Sequence, residues 1–277
     1  MNDQAALLRT LMASRPGPVS SPGSAGPPAL VIGSGKGGVG KSVVSLLLAG
    51  RLALEGRRVL LVDGAQNLGN LHVLLGLERS ATLEQLLNET IQPRDLLLPV
   101  QEQLWLLPAD SGGESLYALP AVDRARLHYR LSGLYDEFDA VIIDAGAGLE
   151  SVVRVATMRA TRCVILTVPE PAALTDAYAT IKIVAAQVAD LPIDVLVNRV
   201  MDPREGPQTF ERLATAAQRF LHRELGYLGA LWEDADIRRA VRRPGELARG
   251  LAASPNTEAL TTILERLEIP MPLRAEA

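Results

Sequence analysis

Mostly apolar runs alternate with amphipathic stretches along the greater part of the chain. Runs of four to six residues, each predicted to form a β-strand, occupy 29–32, 58–62, 104–107, 140–143, 163–168, 193–197 and 227–231. Helical periodicity occupies 43–55, 121–135, 174–189, 208–223 and 256–268. Nearly continuous apolar strands separated by helices indicate a doubly wound α/β fold, a mainly parallel sheet with helices on both faces. In such a sheet the ligand is expected at the carboxyl ends of the strands.

The start of the chain does not follow this pattern. Four apolar residues there would share one face of a short helix: Ala5, Leu8, Leu11 and Met12. A stretch rich in Pro, Gly and Ser follows, a composition that builds no core and behaves as a flexible linker. We therefore predict an amphipathic arm (1–14), a linker (15–28), one α/β domain (29–269) and a short tail (270–277).

A glycine-rich loop joins the first predicted strand to the first long helix. Residues 35–42 fit the pattern G-x-x-x-x-G-K-[ST]. In such a loop the backbone N–H groups and the helix N-terminus face phosphates, Lys41 reaches the β- and γ-phosphates, and Ser42 binds Mg²⁺. A glycine-rich turn without a ligand is the alternative, but the strand before the loop and the helix after it argue against that. The predicted phosphate-binding residues are Gly35, Gly37, Gly38, Val39, Gly40, Lys41, Ser42 and Val43.

Two aspartates end apolar strands that are expected to lie beside this loop. Asp63 follows the run 58–62, and Asp144 follows the run 140–143. Carboxylates in this position next to a phosphate loop can hold Mg²⁺, directly or through water. Either aspartate alone could be a turn residue. With the loop present, we predict a magnesium site formed by Ser42, Asp63 and Asp144.

The composition is that of an ordinary globular protein. Hydrophobic residues make up 48% of the chain and charged residues 22%, which suits a sizeable core. The formal net charge of −4 gives no attraction to DNA or to an anionic membrane. The chain has no apolar run of about 18 residues that could span a membrane. Cys163 is the single cysteine and lies in an apolar run, and His72, His128 and His222 lack metal-ligand spacing. We expect a cytoplasmic protein.

A second lysine makes the loop more specific. Lys36 follows Gly35 and gives the form K-G-G-V-G-K-S, which resembles the deviant Walker A ATPases of the MinD/ParA family. Lys36 and Lys41 are two of only three lysines among 28 basic residues, which favours a special role for both. The resemblance implies a SIMIBI-type P-loop ATPase that binds ATP and Mg²⁺. It also implies that both lysines are catalytic and that Lys36 reaches the partner's nucleotide in an ATP-dependent homodimer.

Several later segments resemble the FlhG/FleN-type branch of this family, which controls the number and placement of flagella. The matching segments are Pro169-Glu170-Pro171, the run L-T-D-A-Y-A-T-I-K at 174–182, and residues 226–229 and 237–241. In the segment Val-Asn-Arg-Val at 197–200, the resemblance implies that Asn198 reads the adenine base and that Arg199 also binds the nucleotide. An amide suits an adenine edge because it can donate and accept hydrogen bonds.

The N-terminal arm resembles the same branch. Residues 3–9 fit D-Q-A-x-x-L-R, the element that contacts the GTPase FlhF in FlhG proteins. The resemblance thus implies an FlhF-like GTPase as a partner, contacted through Asp3, Gln4, Leu8 and Arg9. A flagellar transcription regulator is the second partner that it implies. For so short a motif, an ordinary amphipathic N-terminal helix is the alternative.

The chain departs from the family pattern in its predicted site. Ala65 stands where the family has an aspartate that orients the attacking water, so we expect ATP to bind but hydrolysis to be weak or absent. Gln66 could position that water instead, as a glutamine does in small GTPases. Trp232 stands where the family usually has proline, in a loop that lies near the base in relatives.

The C-terminal helix invites comparison with the membrane helix of MinD. Leu260, Ile263, Leu264 and Leu267 have the spacing of one apolar face. The other positions carry three glutamates and one arginine, the wrong sign for anionic lipid. We therefore predict that this helix packs on the domain, and that any membrane contact is weak and peripheral, at the inner membrane or cell pole.

Two other functions stay open at this point. One is a catalytically inactive pseudo-ATPase that regulates its partners by binding alone. The other is a MinD/ParA-type positioning ATPase for division or segregation, which the acidic balance, the T-D-A-Y-A run and the arm disfavour. Direct binding to nucleic acid is not expected.

Overall fold

The computed structural model describes residues 26–65, 69–79, 81–109, 121–146, 152, 160–243, 245–246 and 256–269. The predicted arm, most of the linker, Gln66 and the tail lie outside the described residues.

Eight strands of the described part form one sheet. They are β1 (Ala29–Gly33), β2 (Val59–Asp63), β3 (Leu98–Gln101), β4 (Leu104–Leu107), β5 (Ala140–Asp144), β6 (Arg162–Thr167), β7 (Ile193–Val200) and β8 (Gly226–Trp232). Their order is β3-β4-β2-β5-β1-β6-β7-β8, and only the pair β3–β4 is antiparallel. The predicted doubly wound, mainly parallel sheet is therefore confirmed, and β1 with its following loop lies near its centre.

The helices of the described part lie between these strands. They are α1 (Lys41–Leu54), α2 (Leu71–Leu74), α3 (Leu83–Leu87), α4 (Ala121–Tyr135), α5 (Pro171–Gln187), α6 (Glu205–Leu221), α7 (Ala235–Ala240) and α8 (Thr257–Leu267), with a 3₁₀ turn at Pro93–Leu96. All five predicted helices are confirmed, with ends that agree within three residues. The short helices α2, α3 and α7 were not predicted, because a segment of four to six residues carries too little periodicity.

The sheet separates two apolar cores. In β1, Leu30 and Ile32 belong to the core beneath α1 and α8, whereas Ala29 and Val31 belong to the core beneath α4, α5 and α6. Successive side chains of a strand point to opposite faces. A strand covered on both faces is therefore apolar throughout, which is the pattern that allowed the prediction.

The edge strand β3 was not predicted. It contains Pro99 and pairs with β4 in an antiparallel register that shifts between Pro99 and Gln101. Proline lacks a backbone N–H and is tolerated at an edge, where no second neighbour needs that donor. A four-residue segment with a proline gives no strand pattern of its own, so only its pairing with β4 defines it.

The C-terminal helix packs on the domain, as predicted. Leu260, Ile263, Leu264 and Leu267 are all buried, and α8 lies against β8 and α1. The apolar face with membrane-helix spacing is therefore already covered. Among the described residues, no helix is both long and apolar enough to cross a bilayer.

Candidate nucleotide-binding site

The glycine-rich loop lies at the carboxyl end of β1, and α1 begins at Lys41 directly after it. The Ser34 hydroxyl donates to the carbonyl oxygen of Lys36 at 2.8 Å and stabilises the first turn of the loop. The order strand, loop and helix thus matches the predicted phosphate cradle. The N-terminus of α1 contributes unpaired N–H groups and a partial positive charge on the side of the loop.

Two glycines of the loop are required by its geometry. Gly40 caps α1 with φ 97°, a left-handed conformation, and a Cβ there would lie 2.5 Å from Nδ2 of Asn198. A Cβ on Gly35 would lie 2.2 Å from the carbonyl oxygen of Asp176. A side chain at Gly35 would push the loop away from the backbone of α5, whereas one at Gly40 would be strained by the left-handed φ and would displace the Asn198 side chain. These two contacts give a structural reason for the motif's glycines in addition to phosphate binding.

The buried residues Lys41 and Asp144 and the half-buried Ser42 form a polar cluster at the start of α1. Lys41 is 7% exposed, and burial lowers the pKa of its ammonium group while the charge of Asp144 opposes this shift. Asp144 is 3% exposed, and burial raises the pKa of its carboxyl group. Hydrogen bonds from the Ser42 hydroxyl and from the backbone N–H of Gly146, together with the charge of Lys41, oppose that shift. Lys41, predicted to bind phosphate, therefore lies together with Ser42 and Asp144, two of the three residues predicted to bind magnesium.

Asp63 lies beside Asp144 because β2 and β5 are neighbours and pair these two residues in register. Its carboxylate accepts hydrogen bonds from the backbone N–H groups of Ala65 and Leu71, both at 3.1 Å. Burial raises the pKa of Asp63 to about 6, and the nearby charge of Asp144 adds to this rise, whereas backbone hydrogen bonds from Leu71, Ala65 and Asn70 lower it. For both carboxyl groups burial is the main cause of the raised pKa, because it disfavours the charged form.

The cluster fits a magnesium ion. The buried Oδ1 of Asp144 has no hydrogen-bond partner among the described residues, and such an atom usually has one. Mg²⁺ is commonly held by one or two carboxylates, water and substrate phosphates, and not by a full protein cage. Ser42, Asp63 and Asp144 would supply the protein oxygens.

The two lysines of the loop differ in their surroundings. Lys41 is buried, whereas the side chain of Lys36 is 40% exposed. The ammonium of Lys36 lies 2.9 Å from Oε2 of Glu170, the residue before α5. This ion pair lowers the pKa of the Glu170 carboxyl group. Glu170 as the partner of Lys36 was missed in the sequence, because 134 residues separate the two.

Asn198 and Arg199 lie at the carboxyl end of β7, next to the loop. Asn198 is buried, and its Nδ2 donates to the carbonyl oxygen of Val39 at 2.8 Å. Arg199 has φ 59°, which is uncommon for a residue with a side chain, and its Nε lies 3.7 Å from Oε2 of Glu233. Both residues are therefore at the site. Asn198 supports the loop in this structure, and its contact with the base stays a prediction.

A cavity of about 430 Å³ adjoins the loop. Its lining includes Gly40, Lys41 and Ser42 of the loop together with Asn198, Trp232 and Arg238. Its volume is within the range of small-molecule sites. The loop of Trp232 is thus at the site, as the resemblance implied.

Ala65 is partly buried next to Asp63, with its backbone N–H bonded to that carboxylate. Its methyl group offers no acceptor to a water molecule. Gln66, the candidate replacement, lies outside the described residues.

The chain is similar to known nucleotide-binding proteins. The CobQ/CobB/MinD/ParA nucleotide binding domain matches residues 30–245. The antiactivator FleN of Pseudomonas aeruginosa is 34% identical over 240 residues, which cover 86% of this chain and 85% of that protein. The flagellum site-determining protein YlxH of Helicobacter pylori is 33% identical over a match that covers 87% of this chain and 82% of that protein.

A solved structure with the same fold is the septum site-determining protein MinD of Pyrococcus horikoshii, complexed with Mg-ADP. The two structures superpose with a TM-score of 0.65 and 24% sequence identity. The match covers 87% of this chain and 96% of the MinD chain.

Proposed function

The chain belongs to the MinD/ParA family of nucleotide-binding proteins, in its FlhG/FleN-type branch, and from this premise we propose that it is an ATP-binding switch controlling flagellar number or placement. The relatives named for this role are an antiactivator and a flagellum site-determining protein. In this proposal the ATP-bound form is a homodimer in the cytoplasm. It acts through an FlhF-like GTPase and a flagellar transcription regulator.

The cluster of Lys41, Ser42 and Asp144 is the observation that carries the proposal. A buried ammonium at a helix N-terminus attracts phosphate. The Asp144 oxygen that has no hydrogen-bond partner among the described residues can accept a hydrogen bond from metal-bound water. Bound Mg²⁺ would neutralise phosphate charge, and Ser42, Asp63 and Asp144 would hold it. Lys41 would hold the β- and γ-phosphates, and Asp63 also fixes the start of α2 by accepting from the N–H of Leu71.

We propose that Lys36 acts between two subunits. Its side chain is 40% exposed, and its ammonium is paired with Glu170, which lies outside the loop. In the dimer, Lys36 leaves Glu170 and contacts the nucleotide of the other subunit. An exposed pair of this kind is weak because solvent screens both charges, so phosphate contacts can replace it.

We expect Lys36→Ala to prevent ATP-dependent dimer formation. Losing a cationic contact to phosphate at a closed interface typically costs about 2–5 kcal/mol, which would weaken the dimer at least roughly 30-fold. Sedimentation velocity with a non-hydrolysable ATP analogue measures this directly. ATP affinity of the monomer should change little, because Lys41 remains.

Glu170→Gln is the matched control for this variant. It removes the partner of Lys36 but keeps the lysine, so the dimer should form at least as readily as in the wild type. A Lys36→Ala protein that dimerises normally would refute the role of Lys36.

We propose that the arm at 1–14 docks on an FlhF-like GTPase through Asp3, Gln4, Leu8 and Arg9. The D-Q-A-x-x-L-R match ahead of a Pro/Gly/Ser linker supports this. The full chain should raise the GTPase rate of such a partner several-fold, and a peptide of residues 1–14 should do the same. A chain lacking residues 1–20 should not.

The arm has another purpose if the partner responds equally to the chain lacking residues 1–20. The ATP affinity of the truncated chain serves as the control. It should equal that of the full chain, since the proposed site begins at Gly35.

A regulator that binds ATP without hydrolysing it is the second candidate. The partly buried methyl group of Ala65 beside Asp63 favours it, since a methyl group cannot orient the attacking water. In this form, ATP binding and release alone would set the switch.

A further inference from the structure

The cavity beside the phosphate loop is lined by both polar and apolar groups. Lys41 and Ser42 of the loop, which suit phosphates, line it together with apolar side chains, among them Leu74, Ile237 and Val241. Trp232 also lines this cavity, and 40% of its surface is exposed. A partly exposed aromatic ring in the wall of a cavity is available to a flat ligand.

The backbone of Trp232 is held from both sides. The side chain of the buried Asn256 accepts from its N–H at 2.7 Å and donates to its carbonyl oxygen at 3.2 Å. The next residue, Glu233, donates its N–H to the carbonyl oxygen of Val200 at 3.0 Å. The end of β8 is therefore fixed, and the indole is presented from a rigid backbone.

Glu233 also holds two arginines that line the same cavity. Its carboxylate is hydrogen-bonded to Arg238 and lies 3.7 Å from Nε of Arg199. With their charges partly balanced, these guanidinium groups can lie against a neutral aromatic ring system. A triphosphate alone would gain nothing from the indole, whereas a purine would bury apolar area on it.

We propose that Trp232 is the stacking platform for the base of the bound nucleotide, and that it makes the site prefer a nucleotide over a simple polyphosphate. This inference rests on the proposed binding of ATP and adds the residue that recognises the base by its flat face. Stacking is tolerant of base identity, so Trp232 gives affinity for the base, and hydrogen bonds at its edge give selectivity between bases.

Intrinsic fluorescence tests this contact directly. The chain has two tryptophans. The other one, Trp105, lies in β4 and packs edge-on against Phe138, with 5.7 Å between ring centroids. Six strand spacings separate β4 from β8 in the sheet, roughly 29 Å at about 4.8 Å each. The Trp105→Phe variant therefore reports Trp232 alone. Its emission should change on titration with ATP or ADP and not with inorganic triphosphate.

Calorimetry of variants gives the second measurement. Trp232→Ala should weaken binding of ADP and ATP about tenfold, the usual effect of removing one base–aromatic stack, and leave inorganic triphosphate binding unchanged. Trp232→Phe keeps a ring and should retain most of the affinity. The matched control is Phe220→Ala, which removes an exposed aromatic side chain on α6, outside the cavity.

The outcomes separate the two proposals. If the wild type does not bind ATP, the proposed function fails and the stacking role fails with it. If the wild type binds ATP and Trp232→Ala binds ADP equally well, only the stacking role is overturned. A Trp232→Ala protein with unchanged ADP affinity but a weaker dimer would instead make Trp232 a subunit contact. Should Trp232→Ala not fold, unchanged emission of Trp105→Phe on ADP binding would overturn the role by itself.

Discussion

Replacing Lys41 by alanine is expected to abolish detectable binding of ATP and Mg²⁺. Lys41 is the buried cation at the start of α1, next to Ser42 and Asp144. Removing it takes away the charge that would face the phosphates and leaves the carboxylate of Asp144 without a counter-ion. Losing one partner of a buried charge pair costs about 2–5 kcal/mol, or roughly 30- to 5,000-fold in affinity.

Isothermal calorimetry measures this effect, and the third lysine of the chain supplies the control. Lys182 lies on α5, so Lys182→Ala removes the same charge outside the cavity and should leave ATP affinity unchanged. Lys41→Gln keeps the length of the side chain without its charge, and its thermal unfolding shows whether the fold is intact. Unchanged ATP affinity in a folded Lys41→Ala protein would disprove the assignment of the phosphate site.

Restoring a carboxylate as Ala65→Asp is expected to raise ATP turnover by about 10²-fold, the lower reach of one positioned catalytic group. Ala65 follows β2, and its backbone N–H donates to the carboxylate of Asp63. This hydrogen bond would hold the backbone of an aspartate at position 65 next to the predicted magnesium residues. ATP affinity should change little, because Lys41 and Ser42 are untouched. Steady-state phosphate release measures the turnover.

Two further variants decide why turnover changes. Ala65→Asn has nearly the same shape as Ala65→Asp but no basic carboxylate, so it should not raise turnover. Gln66→Ala should lower the wild-type rate only if Gln66 positions the water. Equal turnover of the wild type and Ala65→Asp, with Gln66→Ala also harmless, would show that this site needs no side chain there.

The sequence by itself determined the parts of the site that are local. The strand β1, the loop and α1 are contiguous, so the motif at 35–42 could be read directly. Asp63 and Asp144 were found because each ends an apolar strand, and parallel strands bring their carboxyl ends to one edge. The strands themselves were visible because helices cover both faces of the sheet and leave no polar alternation.

Only the tertiary structure decided which distant residues meet. The bond from Asn198 to Val39, the pair of Lys36 with Glu170, and the support of Trp232 by Asn256 join residues 24 to 159 positions apart. Nothing in a local pattern encodes such partners, because each depends on the strand order β1-β6-β7-β8 and on the place of α8 beside β8. The edge strand β3 is of the same kind, since its four residues become a strand only by pairing with β4. Periodicity records whether a side chain is buried, whereas strand order and register decide what it is buried against.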